Sequence, residues 1–293
     1  MRRLTFAVLT TALLLGPGWA RAVRAQPFDL SRDSLITHRS GQDVQPVFDG
    51  WSKNADGSFE MHFGYLNRNH IEEVHIPLGP ENSFEPSGPD RGQPTYFYPR
   101  FNRRMFSVTV PKDFGKRELI WTLTSRGKTE RAVGWLQPEW EIDPLPRGAV
   151  RSEGNKPPTL SVVGPGQVRP GRVTLTAKAS DDGLPPPGKP RRGGNSENPP
   201  GFRFDGPTFT APVNVPEVVR PTAPRIQGLS VSWTVHRGPG AVKFEPAASA
   251  VKDGQVVVDA TFSEPGEYVL RARASDSSLT TIQDVKVVVA DGR

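Results

Sequence analysis

The chain contains no cysteine. That excludes a disulfide framework, thiol catalysis, thiolate metal sites and lipidation at a leader cysteine, so stability has to come from apolar cores alone. Beyond residue 25 there is no apolar run long enough to span a bilayer. Long helices are excluded as well, because 31 prolines and 29 glycines among 293 residues punctuate the chain throughout and favour short strands joined by turns. There is no Gly-x-Ser-x-Gly and no phosphate-binding glycine loop, and the five histidines are scattered. His70 and His75 lie five apart at the entry to a strand, where they point to opposite faces, whereas a helical zinc motif needs histidines four apart. The expectation is a protein that is not an enzyme.

What is present begins with a leader. Arg2 and Arg3 precede the apolar run from Leu4 to Leu15, Gly16-Pro17-Gly18 breaks it, and Val23-Arg24-Ala25 offers a small-residue cleavage site. Residues 1–25 therefore read as a signal peptide, which predicts export to the periplasm or the outside of a bacterial cell. Its removal takes away four arginines and no acid, so the formal charge falls from +6 to +2. The mature chain is too weakly basic to predict a nucleic-acid partner, and it has no membrane span. Residues 26–43 lack any sustained period and read as a flexible lead-in.

From Val44 the pattern is strand-like. Asp56-Gly57 supplies the positive φ of a tight hairpin, and Phe59, Met61, Phe63 and Tyr65 then alternate with polar or small residues. Further strands are predicted at Val74 to Leu78, Met105 to Val110, Glu118 to Thr124 and Thr129 to Leu136, with Glu81 to Pro94 a turn-rich loop. About seven short strands in roughly a hundred residues suit an immunoglobulin-like sandwich over 44–143. Tyr96, Tyr98, Arg100, Phe101, Arg103 and Arg104 interleave aromatics with cations and form the candidate contact surface of this half. Trp135 and Trp140 suggest either a sugar-stacking pair or edge packing.

Residues 144–156 are polar and proline-bearing and read as a linker. A second strand series runs over 157–290. Val173, Leu175, Ala177 and Ala179 share one face, as do Leu229, Val231, Trp233 and Val235, and again Val256, Val258, Ala260 and Phe262. The last hairpin places Tyr268, Leu270, Ala272 and Ala274 opposite Val285, Val287 and Val289, and reads as the closing edge of the sandwich. The fold class predicted is all-β, two immunoglobulin-like β-sandwich domains in tandem after a signal peptide.

Over about 155–289 the order of Ser180-Asp181-Asp182-Gly183, Trp233, Gly238-Pro239-Gly240 and Pro265-Gly266-Glu267-Tyr268 resembles the PKD-type immunoglobulin-like repeat of bacterial surface and secreted proteins. The first half resembles a generic immunoglobulin-like or fibronectin-like sandwich. The PKD resemblance implies a spacer, an adhesive module or a carbohydrate-associated accessory, and carries no catalytic residue. The chain departs from that family in a Pro/Gly/Arg-rich insertion over about 185–227, whose Phe202, Phe204 and Phe209 would dock either on the chain's own sandwich or on a partner. Asp181, Asp182 and Asp276 sit in loops expected at one end of the sandwich, where their oxygens would suit calcium; no other cofactor is indicated. The function predicted is a non-catalytic binding or spacer role toward an envelope or extracellular protein, with a polysaccharide-associated role as the alternative.

Overall fold

The computed structural model describes residues 38–86, 88–143, 152–186 and 226–291. The leader, most of the 144–156 linker, and most of the insertion with Phe202, Phe204 and Phe209 lie outside the described residues. Those described form strands and turns with a single short 3-10 turn at Pro138–Trp140, and no helix among them is long and apolar enough to cross a membrane.

The N-terminal sandwich is built from β1 (Val44–Lys53), β2 (Phe59–Asn67), β3 (Val74–His75), β4 (Asn82–Glu85), β5 (Tyr96–Phe97), β6 (Arg100–Val110), β7 (Leu119–Ser125) and β8 (Lys128–Gly134). One sheet runs β1-β2-β6 and the facing sheet β4-β7-β8, with β3 and β5 paired as a small ribbon. The β1–β2 turn forms as its residues dictate: Asn54 accepts from the Gly57 amide at 3.0 Å, the Asp56 carboxylate accepts from the Ser58 amide at 2.9 Å, and Gly57 takes φ +87°. Alternation then buries Met61, Phe63 and Tyr65 against Leu119, Trp121 and Leu123. Trp121 is the hub, stacked on Phe84 at 5.9 Å and edge-on to Phe106 at 5.0 Å.

The segment from Glu81 to Pro94, expected as a loop, contains β4. Its four residues pair with β7 from Asn82↔Leu123 to Glu85↔Ile120, and Asn82, fully buried, donates to the carbonyls of Ile76 and Pro94 and accepts from the Trp121 indole at 3.0 Å. A strand this short among prolines carries too few alternations to read, and its placement depends on β7.

The C-terminal sandwich comprises β9 (Thr159–Val162), β10 (Gly166–Val168), β11 (Arg172–Ser180), β12 (Ser230–Arg237), β13 (Val242–Glu245), β14 (Ala248–Ala250), β15 (Gln255–Phe262), β16 (Gly266–Ser275) and β17 (Thr280–Val289). Its sheets are β13-β15-β11-β9 and β10-β17-β16-β12-β14. That is the immunoglobulin-like order, with the second, third, fifth and sixth principal strands split between facing sheets. Trp233 on β12 is buried, and the Tyr268 hydroxyl donates to the Glu264 carbonyl at 2.8 Å, a tyrosine corner at the start of β16. Leu175 and Leu270, both buried, meet in the core between the sheets.

The last hairpin is not the sheet edge it was expected to be. β16 is flanked by β12, and β17 pairs in parallel with β10, from Gly166↔Val287 to Val168↔Val289. The chain reaches β10 by switching sheets after β9, and Gln283 ties the switch by exchanging hydrogen bonds with the Val162 backbone at 2.8 and 3.0 Å. The Gly238-Pro239-Gly240 turn also has a steric reason. A Cβ on Gly238 would lie 2.3 Å from the Tyr268 ring, and one on Gly240 would lie 2.5 Å from Ser263 Oγ. The turn is pressed against the corner that follows β15.

Candidate functional site

The two sandwiches meet where the segment leading into β5 crosses the end of β12. In β12 the register against β16 slips between Val235 and Arg237, so His236 is the extra residue of a bulge. The bulge turns backbone and side-chain groups of His236 toward the N-terminal sandwich. The Thr95 amide donates to the His236 carbonyl at 3.1 Å, the Gly238 amide to Thr95 Oγ1 at 3.2 Å, and the Val235 amide to the Tyr98 hydroxyl at 2.8 Å. Tyr98 is itself fixed from behind, its amide donating to the Tyr65 hydroxyl at 2.9 Å. Burial pushes the Tyr65, Tyr96 and Tyr98 hydroxyls well above the ordinary tyrosine range, so they remain neutral hydrogen-bonding groups.

Charged groups complete the junction. Arg237 donates through Nε to the Gln93 carbonyl at 2.9 Å and forks onto Asp90 at 2.7 and 3.0 Å. Those hydrogen bonds hold Asp90 below the usual carboxylate range. Arg271 grips Asp284 at 2.8 and 2.9 Å and reaches the Met105 carbonyl of the other sandwich at 2.5 Å. Burial pulls Asp284 upward, but Arg271 outweighs it and keeps the carboxylate ionised. His236, 3% exposed, faces the Gly92 carbonyl through Nε2 at 2.9 Å, while its Nδ1 is buried with no hydrogen-bond partner. Because a carbonyl only accepts, Nε2 carries the proton and Nδ1 is a bare lone pair. Burial first, and then the Arg271 charge, push this imidazole down to about 4.

Beside the junction opens a cleft of about 390 Å³, walled by Ile71, Glu73, His75 and Tyr96 on one side and Pro239 and Glu264 on the other. The Tyr96 hydroxyl donates to Glu73, which preorients that carboxylate, and burial holds His75 below the ordinary histidine value. The cleft presents acceptors, an aromatic ring and apolar walls. That combination suits binding.

The structure divides the aromatic–basic stretch. Tyr96 and Tyr98 pack against the C-terminal core, while Arg100, Phe101, Arg103 and Arg104 form the outer start of β6. There Asn102 bonds back to the carbonyls of Tyr98, Pro99 and Arg100, and Arg100 and Arg104 take positive φ. Asp49 accepts from the Arg104 amide at 2.7 Å, and Arg104 also donates to the Asp143 carbonyl at 3.1 Å. Phe101, 44% exposed with the Arg103 guanidinium 4.5 Å above its ring, faces outward together with the exposed Arg103 and Arg104.

Asp181, Asp182 and Asp276 occupy loops close enough for their charges to raise Asp181, although burial is the larger cause. Asp276, buried, accepts from the Ser278 amide at 2.6 Å, the Leu279 amide at 2.5 Å and Asn155 at 3.0 Å, and Asp182 accepts from the Lys156 and Leu184 amides. Asp181 accepts from the Gly183 amide at 3.1 Å through one oxygen and holds the other buried without a hydrogen-bond partner, and among the described residues no group of three or more His, Cys, Asp or Glu is arranged to hold a metal ion. Trp135 and Trp140 lie 5.8 Å apart, both stacked on Phe48, with Trp140 41% exposed. The groups that sequence reasoning missed are Asp90, Gln93, Thr95, His236, Arg237 and Arg271, whose bonds across the junction join residues more than 140 apart, up to 166 for Arg271 and Met105.

No family model matches the sequence, and no curated protein matches it. Among solved structures, the chain is similar to the N-terminal eight Ig domains of Down syndrome cell adhesion molecule isoform 1.30.30, at 11% identity and a TM-score of 0.24 over 84% of this chain and 27% of that one. It is similar to domains 4–9 of the surface layer protein SbsC, at 10% and 0.26 over 86% and 31%, and to the D00–D0 domain of intimin, at 9% and 0.26 over 85% and 100%. The chain spans less than a third of the first two. Likeness this remote carries no argument about what the chain does; its immunoglobulin-like character stands on the strand order, Trp233 and the Tyr268 corner.

Proposed function

We propose that the protein is an exported, non-catalytic binding or spacer module of the bacterial envelope or extracellular space, built of two sandwiches over about 44–143 and 157–290, the second of PKD type. The supporting observation is the junction. A chain that merely linked two independent domains would leave their facing surfaces wet, whereas here buried backbone amides, Tyr98 and Arg237 join them directly. Such a joint holds two surfaces in fixed relation, as a spacer or a two-part binding face requires. The leader supports export, and Phe101 with Arg103 and the cleft offer contact surfaces for an envelope or extracellular protein. With spin labels on exposed Lys112 and Lys252, one in each sandwich, dipolar spectroscopy at pH 7.5 is expected to give a single narrow distance distribution. A broad distribution would show a flexible tether and overturn the reading.

A second reading, a polysaccharide-associated module, is favoured by the exposed Trp140 stacked 5.4 Å from Phe48, a flat ring that can pack on a sugar face. If it holds, the mature protein is retained on a glycan array, and Trp140→Ala lowers that retention at least tenfold. Absence of retention on every polysaccharide removes this alternative.

A further inference from the structure

His236 is a histidine buried within the junction, the residue type whose ordinary charge change falls between pH 5 and 8. It lies between carriers of fixed charge: Arg237 beside it on β12, Arg271 from β16, Asp284 from β17, and Asp90 from the loop of the other sandwich. Both carboxylates are committed, Asp284 to Arg271 and Asp90 to Arg237. A proton arriving on Nδ1 would therefore create a buried N–H with no acceptor, and a third cation beside two arginines. Nothing at Nδ1 is available to rearrange, since the opposite nitrogen is already spent on the Gly92 carbonyl.

We propose that His236 is a proton-operated latch, and that protonation at Nδ1 releases the C-terminal sandwich from the Gly92–Tyr98 segment. The inference rests on the rigid junction proposed above and adds its regulation. An exported protein meets whatever pH its surroundings have, so the latch would make the fixed relation of the two sandwiches a property of neutral conditions. The sign follows from the docked imidazole being pushed below its ordinary 6.5 to about 4. The docked state prefers neutral His236, so the junction is fully stabilised above pH 6.5, and this contribution is lost as pH falls toward 4. If the released ring titrates at its ordinary value, the constant for opening rises roughly 30-fold between pH 7.5 and 5.0.

Three amides report opening directly: Thr95, Val235 and Gly238, whose acceptors lie across the junction. In hydrogen exchange on the full mature chain, corrected for intrinsic rates, their protection is expected to fall roughly 30-fold from pH 7.5 to 5.0. Core amides of Trp121 and Leu270 should keep theirs. His236→Gln retains an N–H for the Gly92 carbonyl and cannot be protonated, so its three amides should lose this pH dependence. Unchanged protection in the wild type, or an equal fall in His236→Gln, overturns the latch. Weak protection at pH 7.5 instead overturns the rigid junction, and the latch with it. If His236→Gln fails to dock, the wild-type ring decides: a midpoint below 5 by NMR supports the latch, and a midpoint of 6 or above with the three amides still protected sinks it.

Discussion

Trp121→Ala is expected to unfold the N-terminal sandwich under conditions where the wild type is stable. The indole is fully buried and packed against Phe63, Phe84, Phe97 and Phe106, so its removal leaves a large cavity in a core that cannot close around it. Truncations of this kind cost about 3–5 kcal/mol. The same change strands Asn82 Oδ1, which accepts from the indole at 3.0 Å in a fully buried setting, adding about 1–3 kcal/mol. The sum approaches the whole stability of a small domain, for which about 5–15 kcal/mol is usual. Urea unfolding followed by tryptophan fluorescence and by near-ultraviolet dichroism would measure it. Trp121→Phe, which keeps much of the ring volume and loses the donor, separates the two costs. A loss below about 2 kcal/mol in Trp121→Ala would mean that the core is not organised around this residue.

Gly238→Ala should have the next largest effect, and it should be felt in two places. The added methyl would lie 2.3 Å from Tyr268 Cδ1 and 2.7 Å from Cε1, closer than packed carbon atoms approach. The ring cannot swing aside freely, because its hydroxyl is tied to the Glu264 carbonyl and it packs in a T-shaped pair with Phe262, centroids 4.9 Å apart. Overpacking of this kind costs about 1–3 kcal/mol, and displacing the hydroxyl forfeits a further 0.5–1.5 or so. Since the Gly238 amide also donates to Thr95 Oγ1, the strain reaches the junction. Thermal unfolding should show the loss of stability, and exchange at the Thr95 amide should accelerate. Tyr268→Phe, which deletes only the hydroxyl, should show the smaller loss and leave Thr95 unchanged. Gly238→Ala matching the wild type in both measurements would disprove the steric account of the Gly-Pro-Gly turn.

Much of the second sandwich was legible because alternation is a local consequence of burying one strand face. Tyr268, Leu270, Ala272 and Ala274 are buried on one side of β16, and Val285, Val287 and Val289 meet them from β17. Sheet order was less legible. The hairpin was expected at an edge, yet the three-residue β10 covers it, and no period exists in three residues. Polar residues inside the fold were also hidden. Asn82 reads as a turn former but is a fully buried brace between two loops and Trp121. The junction was hidden for a related reason. Counting by twos from Trp233 and Val235 puts His236 on the outward face, which is where it points; that face is dry because another sandwich lies on it. Tyr96 and Tyr98, which the sequence offers as partner-binding residues, pack against the C-terminal sandwich of their own chain.

The parallel pairing of β10 with β17 has a mechanical consequence. These are nearly the first and last strands of the C-terminal sandwich, and because they run the same way, the N-terminal end of β10 and the C-terminal end of β17 face opposite directions. A pull that drew those two ends apart would slide one strand along the other. It would load the Gly166–Val168 pairing, together with the bond from the Ala290 amide to the Val168 carbonyl, all at once, where an antiparallel hairpin would open one bond at a time. Under such a pull the short strand that conceals the terminal hairpin from a sequence reading would act as a shear clamp within its sheet.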